Sequence, residues 1–460
     1  MQLWRELEGA KGLTPPWVDK ENDVRTIRFS NTVARELATL ITQNIDIKVQ
    51  MVYGTGEKAQ YIQNALDKTF MAKAQENIEK MIRLGGIMAK WNGSGIDYIP
   101  PDMFLVTDFD SNGTIEGCVF LSHHNENDKF YTRAEWHRFE RVNRRNEETG
   151  ESEQVRIYKI SNKAFVSSNA REIGRKISLK NTKWKDLEEE VTIEGLRSPL
   201  FTYLKNPFSN TIDTESPLGV SLFSECIEEL RWLDIAMSAL GVETENSEPV
   251  MFVDNSSIQY AKNNNIKLPK FIGGLDMGID PTKTVEQWQP NLQVANRKEG
   301  INFYLSIISA KVGFSQGYFN FNENQGTIVT ATQVEAAERR TVNTVLSYRN
   351  LLDRPNTNGD GRVGFIHDIA YIIDTMSTLN GETPPEDYGN YKIFCDFADI
   401  TSNKQEDMLL DLQLTNQGFM SKARFLVRHR GFTEDEAKKM VEEAQKENKS
   451  SMQKGLFNEE

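Results

Sequence analysis

"FLVTDFDSNGTIEG", residues 104–117, admits two incompatible folds. In one, an apolar strand ends in Asp-x-Asp and delivers Asp108 as a nucleophilic carboxylate, with Asp110 two residues further on. That chemistry needs a lysine to offset charge, acidic ligands for magnesium and a parallel α/β sheet to present the strand end. In the other, two antiparallel strands meet at Ser111-Asn112-Gly113, residue types that adopt the backbone of a tight turn. No helix lies between VTDF and GCVF, so the crossover that joins parallel strands is missing. The turn chemistry favours the hairpin, and with it an α+β fold.

The flanks extend this reading. Upstream, residues 24–43 carry Val33, Leu37, Leu40 and Ile41 at helical spacing. A second helical stretch, 57–84, runs into Gly85-Gly86, a C-cap and turn signal. From about 87 to 205 short runs replace the helical period: IDYIP, MFLVTDF, TIEGCVFLSH, EWHRFERV and VRIYKIS read as strands. EETGESEQ (147–154) reads as a solvated hairpin tip.

Downstream, Ser216-Pro217 predicts the start of a long helix, because serine caps free N–H groups and proline is tolerated at the first helical position. Its expected stripe is Leu222, Phe223, Ile227, Leu230, Leu233, Met237 and Leu240. About 28 residues would give roughly 40 Å of helix. Residues 247–292 return to short strands and turns, and a helix is expected at about 294–312. The Gly- and Asn-rich loop GFSQGYFNFNENQGT comes next. It precedes a helix over 331–353 with the stripe Val334, Ala337, Val342, Val345 and Leu352, capped by Thr330 with Gln333 or Thr332 with Glu335. A turn at DRPNTNGDG, a helix over 363–379, a strand near YKIFCDF and a helical tail with a capping box at Thr433–Glu436 complete the chain.

Bulk properties bound the function. The 460 residues carry 38% apolar and 26% charged side chains, enough for a core, and a net charge of −13. A surface that acidic disfavours tight, sequence-independent clamping of nucleic acid by the chain as a whole. Cys118, Cys226 and Cys395 lie far apart, with no CxxC and no nearby His pair, which predicts buried thiols in a reducing compartment rather than a disulfide framework or a zinc site. The N-terminal MQLWRELEGAKGL has no export core and no stretch is apolar enough to span a bilayer, so a soluble, cytoplasmically made chain is expected.

Signals for catalysis and metals are weak. NTNGDGRVGFIH (356–367) places Asn356, Asn358 and Asp360 like calcium-loop ligands, but its twelfth position is His367, a poor ligand for a hard cation. An ordinary Asn/Gly turn between two helices is the favoured reading. His123-His124 are expected in a polar loop, solvated. His429, among Arg424, Arg428 and Arg430, suggests a basic helical face. The dipeptide Gly-Lys never occurs, which removes a P-loop, and GxSxG is absent.

The order of parts carries more. "MIRLGGIMAKW", "DYIPPDMFLVTDFDSNGTI", "YTRAEWHRF" and "PLFTYLKNP" follow one another along the chain, then "ESPLGVSLFSECIEELRWLD" and "GFSQGYFNFNENQGTIVTATQVEAAERR". In that order they resemble the portal (connector) proteins of long-tailed double-stranded DNA bacteriophages, of the type found in phages of Gram-positive hosts. The resemblance implies an elongated subunit that assembles into a ring, usually of about twelve copies. Its parts would be a wing (1–229), stem helix 1 (230–246), a small β-rich clip (247–292) and stem helix 2 (293–313). A channel loop (314–328), a long wing helix with a return strand (329–400) and a helical crown (401–460) would follow.

Under the resemblance, Gln316, Tyr318, Asn320, Asn322, Asn324 and Gln325 would face DNA in the channel, and Asp254, Lys270, Asp276 and Trp288 would sit on the docking clip. The implied role is a conduit for double-stranded DNA at the capsid vertex of the virion, assembled in the host cytoplasm, without catalysis, cofactor, metal or membrane. The implied partners are the terminase large subunit, scaffolding protein, major capsid protein and a head-completion adaptor. Two rival readings are another capsid-associated structural or adaptor protein, and a metal-dependent phosphatase that uses Asp108 in the manner of the haloacid-dehalogenase-like enzymes.

Overall fold

In the computed structural model the described residues are 2–9, 12–53, 56–145, 152–170, 172–247, 250–253, 255–266, 285–288, 292–321, 331–356, 361–397, 404–430, 436–444 and 446. The chain divides into two units, Met1–Phe397 and Ala398–Glu460.

The first unit is α+β, and its core begins with helix Phe29–Thr42. Val33, Ala34, Leu37, Ala38 and Ile41 recur on one face and are wholly buried, largely against helix Ala74–Leu84. The helix starts five residues later than its period suggests. Asp234 accepts the Ile27 N–H and Ser238 accepts the Arg25 N–H, so this stretch is held extended against a distant helix. The expected 57–84 helix is two, Glu57–Thr69 and Ala74–Leu84, separated at the buried Phe70 by a tighter turn, Met71–Lys73. Gly85 ends the second with φ 96°, and a Cβ there would lie 2.7 Å from the Val220 backbone carbon. Both the left-handed backbone and the close approach demand glycine.

Two antiparallel sheets follow. Strands Phe201–Lys205, Gly86–Trp91 and Ile96–Ile99 form one, in that order. The other runs Phe104–Phe109, Ile115–Glu126, Lys129–Arg145, Ser152–Ser167 and Arg175–Ile177, with Glu190–Glu194 also paired to Ser152–Ser167. Met88, Phe104, Ile115, Cys118, Phe120 and Phe201 pack between them. EETGESEQ lies mainly outside the described residues, but the strands that flank it pair from Arg145↔Ser152 onward.

A charged network is buried beside this core. Glu135 accepts from Lys90 Nζ (2.7 Å), Arg133 Nη2 (2.7 Å) and His137 Nε2 (2.9 Å). His137 Nδ1 lies 2.8 Å from Tyr158 Oη, which accepts the Leu200 N–H at 3.1 Å. Tyr158 therefore has its one proton for Nδ1, and Nε2–H is donated to Glu135. Burial holds the His137 imidazole below its ordinary value. Burial alone would raise Glu135, but the hydrogen bond from His137 and the charges of Lys90 and Arg133 outweigh it and hold the carboxyl far below the usual range.

The helix expected from Ser216 begins instead at Ile227 and ends at Glu245. Asn206 explains the difference: its amide donates to the carbonyls of Ile82 (3.1 Å) and Val220 (2.7 Å), and the Leu222 N–H donates to Ile82. Residues 216–226 are thus tied as loop to a helix end, although Leu222 and Phe223 are buried as expected. The 247–292 segment also differs from a purely β insert. Val250–Val253 pairs with Val285–Trp288, and helix Asn255–Asn263 follows the first strand.

Helix Ala331–Leu352 buries Thr341, Val345, Tyr348 and Leu352, with Val342 only half-buried. Arg349, also buried, donates to the Leu40 and Ile41 carbonyls that end helix Phe29–Thr42, where a cation complements the unsatisfied carbonyls. Helix Phe365–Leu379 and strand Tyr391–Asp396 follow, the strand pairing antiparallel with Asp46–Met51. Lys58 and Asp374, both buried, form an ion pair of 2.8 Å between helices Glu57–Thr69 and Phe365–Leu379. Cys118 and Cys226 are buried thiols, Cys395 half-buried.

The second unit holds helices Lys404–Asn416 and Lys422–Arg430, joined through Gly418 at φ 82°. His429 is no solvated face residue: its Nε2 lies 2.7 Å from the buried Asp411. The Thr433–Glu436 capping box begins outside the described residues. Among the described residues no helix is long and apolar enough to cross a membrane.

Candidate functional site

The opening motif is a hairpin. Phe104–Phe109 pairs antiparallel with Ile115–Glu126, and Gly113 takes φ 77° in the turn. Asp110 accepts the Asn112 (2.9 Å) and Thr114 (2.7 Å) N–H groups, and the Thr114 bond first among these holds its carboxyl below the usual range. Asp108 is exposed beside a bulge in the strand pairing. His123 and His124 lie on the second strand rather than in a loop: His123 bonds Thr132, and His124 stacks on Tyr131.

The feature that organises the candidate site is a helix pair. Ile227–Glu245 and Val294–Lys311 lie side by side and antiparallel. Glu229, in the first turn of one, meets Lys311 at the end of the other at 2.6 Å. At the opposite end Glu243 accepts from the Gln293 N–H and Arg297 Nε, which lower its carboxyl. Between the helices runs the ribbon Val250–Val253/Val285–Trp288.

The pair is apolar on more than the face it buries. Leu230 and Leu233 are buried on one helix, and Ile301, Leu305 and Ile308 on the other. Ile235, Met237, Leu240, Tyr304 and Ile307 stay partly exposed. Trp232 is 46% and Phe303 62% exposed. A helix needs one apolar stripe to pack on one neighbour; this pair carries apolar residues on other faces as well.

Val294–Lys311 leads into the Gly/Asn-rich loop, whose first half is firmly anchored. Gly313 has φ 85° and accepts Thr344 Oγ1–H at 2.7 Å, and the Ser315 N–H donates to Thr341 at 2.9 Å. Phe314 is fully buried in an aromatic group with Tyr318, Phe319 and Phe29. Tyr318 donates to Glu36 at 2.6 Å, and its burial, then the Glu36 carboxylate, push the phenol up. Asn320 Nδ2 donates to Ser306 at 2.9 Å. Tyr318 and Asn320 thus anchor the loop within the chain, while Gln316 is exposed beside Arg339 and Arg340. That basic pair was missed in the sequence, where its only signal is the dipeptide itself.

Asn322, Asn324 and Gln325 lie outside the described residues, as do Asp254, Lys270 and Asp276. Trp288 ends the ribbon opposite Val250. Of the calcium-loop candidates, Asn358 and Asp360 lie outside the described residues. Asn356 donates its N–H to Gly361, closing a hairpin of Arg354–Pro355 with Arg362–Val363.

No protein-family model matches this sequence, and no curated protein matches it.

Proposed function

We propose that the chain is a portal subunit of a tailed bacteriophage. Several copies close into a ring at the capsid vertex, through which double-stranded DNA enters during packaging and leaves during ejection. The observation that carries the reading is the antiparallel helix pair Ile227–Glu245/Val294–Lys311, with apolar side chains on its uncovered faces. Copies arranged around an axis would bury those faces against one another, as a closed heterologous interface requires. In this reading the pair is the stem, the ribbon with helix Asn255–Asn263 belongs to the clip, and the terminase and head-completion protein dock there.

Charge supports the conduit. At −13 per copy, a ring of about twelve opposes sticking of a polyanion that must slide, and few phosphate contacts are then held long. The anchored half of the 314–328 loop would hold its remaining residues toward the channel, and Arg339 and Arg340 would give one local, transient attraction. Electron microscopy of the purified protein tests this. Annular particles with a central hole wide enough for a duplex are expected; compact particles with no hole would overturn it.

A further inference from the structure

Among the described residues, Asp353, His367 and Cys395 bring a carboxylate oxygen, an imidazole nitrogen and a sulfur within 4.8 Å of one another. They come from three separate elements. Asp353 directly follows helix Ala331–Leu352, His367 lies in the first turn of Phe365–Leu379, and Cys395 lies in strand Tyr391–Asp396. Asp353 has no exposed side-chain surface, His367 only 16%, and Cys395 is half-buried.

We propose that this trio is a zinc-class transition-metal site that fastens the strand pair Arg354–Pro355/Arg362–Val363 to strand Tyr391–Asp396. The donor set decides the ion. Sulfur and imidazole suit a borderline-soft ion such as Zn²⁺ or Co²⁺ and are poor partners for Ca²⁺ or Mg²⁺, which take oxygens. His367, which spoils the calcium-loop pattern at its twelfth position, is thus the imidazole donor of a different site. Three protein ligands leave a fourth, tetrahedral position for water. His367 also borders a cavity of about 610 Å³, lined in part by Arg197, Arg362, Tyr371 and Tyr391, from which an ion can enter.

Arg362 is compatible with this role. Its Nε lies 2.7 and 2.8 Å from the two Asp353 oxygens, and its own side chain is 38% exposed. Each carboxylate oxygen has two lone pairs, so Asp353 can keep that bond while it binds a metal, and the outer hydrogen bond fixes its orientation. In the metal-free chain His367 Nε2 sits 2.8 Å from Asp353 Oδ1, bridged by one proton. On binding, that proton moves to Nδ1, the thiol proton leaves to solvent, and metal–nitrogen and metal–sulfur bonds form.

The full chain, stripped with a chelator and titrated with Co²⁺, tests the site. One equivalent per chain is expected to give a thiolate-to-cobalt charge-transfer band in the near ultraviolet, with visible bands of tetrahedral strength. Cys395→Ser should abolish the charge-transfer band, and His367→Gln should weaken Co²⁺ binding by at least tenfold, both with unchanged circular dichroism. Absence of the band in the unaltered chain, or its survival in Cys395→Ser, would overturn the assignment.

Discussion

His137 and its neighbours show how much of this protein depends on contacts no local pattern reveals. Its imidazole is buried neutral, and its folded pKa lies below the ordinary 6.5. That of Glu135 lies below the ordinary 4.5. In both cases the unfolded chain binds the proton and the folded chain does not, so stability is complete above the unfolded value and falls as pH drops. Urea unfolding followed by tryptophan fluorescence should therefore give a lower midpoint at pH 5.5 than at pH 7.5, and His137→Gln should shrink the difference. Tyr158→Phe strands the Leu200 N–H and His137 Nδ1, and should cost about 2 kcal/mol at pH 7.5. Lys58→Ala, which leaves Asp374 buried without its 2.8 Å partner, should cost about 3–5 kcal/mol. The double change Lys58→Met/Asp374→Leu should recover most of that, since neither charge is then stranded. The turn that Asp110 closes was legible in the sequence because Ser111-Asn112-Gly113 are local turn residues. Arg349, which reaches carbonyls about 300 positions away, was not.

At the scale of elements, the helix pair makes the sharpest prediction. Trp232→Glu with Phe303→Glu places charge on side chains already 46% and 62% exposed, so the isolated fold should tolerate it within about 0.5 kcal/mol. Assembly should not. Sedimentation of the double variant should show loss of the large species with unchanged circular dichroism; unchanged sedimentation would exclude this face from the interface. Strands and turns of the 104–167 region were readable because alternation and Asn/Gly turns are local signals. Two readings failed for non-local reasons. Ser216-Pro217 has the letters of a helix start, but Asn206 takes the Val220 carbonyl and fixes the segment as loop. Helix Asn255–Asn263 was hidden in a stretch whose short apolar runs suggested strands alone. The loop after Lys311 was legible as a loop, but the side chains that anchor it were not: Tyr318 and Asn320 look like free polar groups until Glu36 and Ser306 are brought beside them.

For the whole molecule, the ordered series of segments suggested the functional reading in the sequence, and the helix pair Ile227–Glu245/Val294–Lys311 is the structural observation that supports it. An α+β unit, a helix pair with a ribbon between its members, an anchored loop and a long helix follow in the order the sequence suggests. The net charge of −13 fits a surface that DNA passes rather than grips. Closure of copies around a pore is tested by the mass of the purified protein, measured by light scattering coupled to size exclusion. One discrete species of about twelve copies is expected, as a closed ring has no free ends to grow from. A single 52.6 kDa monomer at every concentration and salt would contradict it.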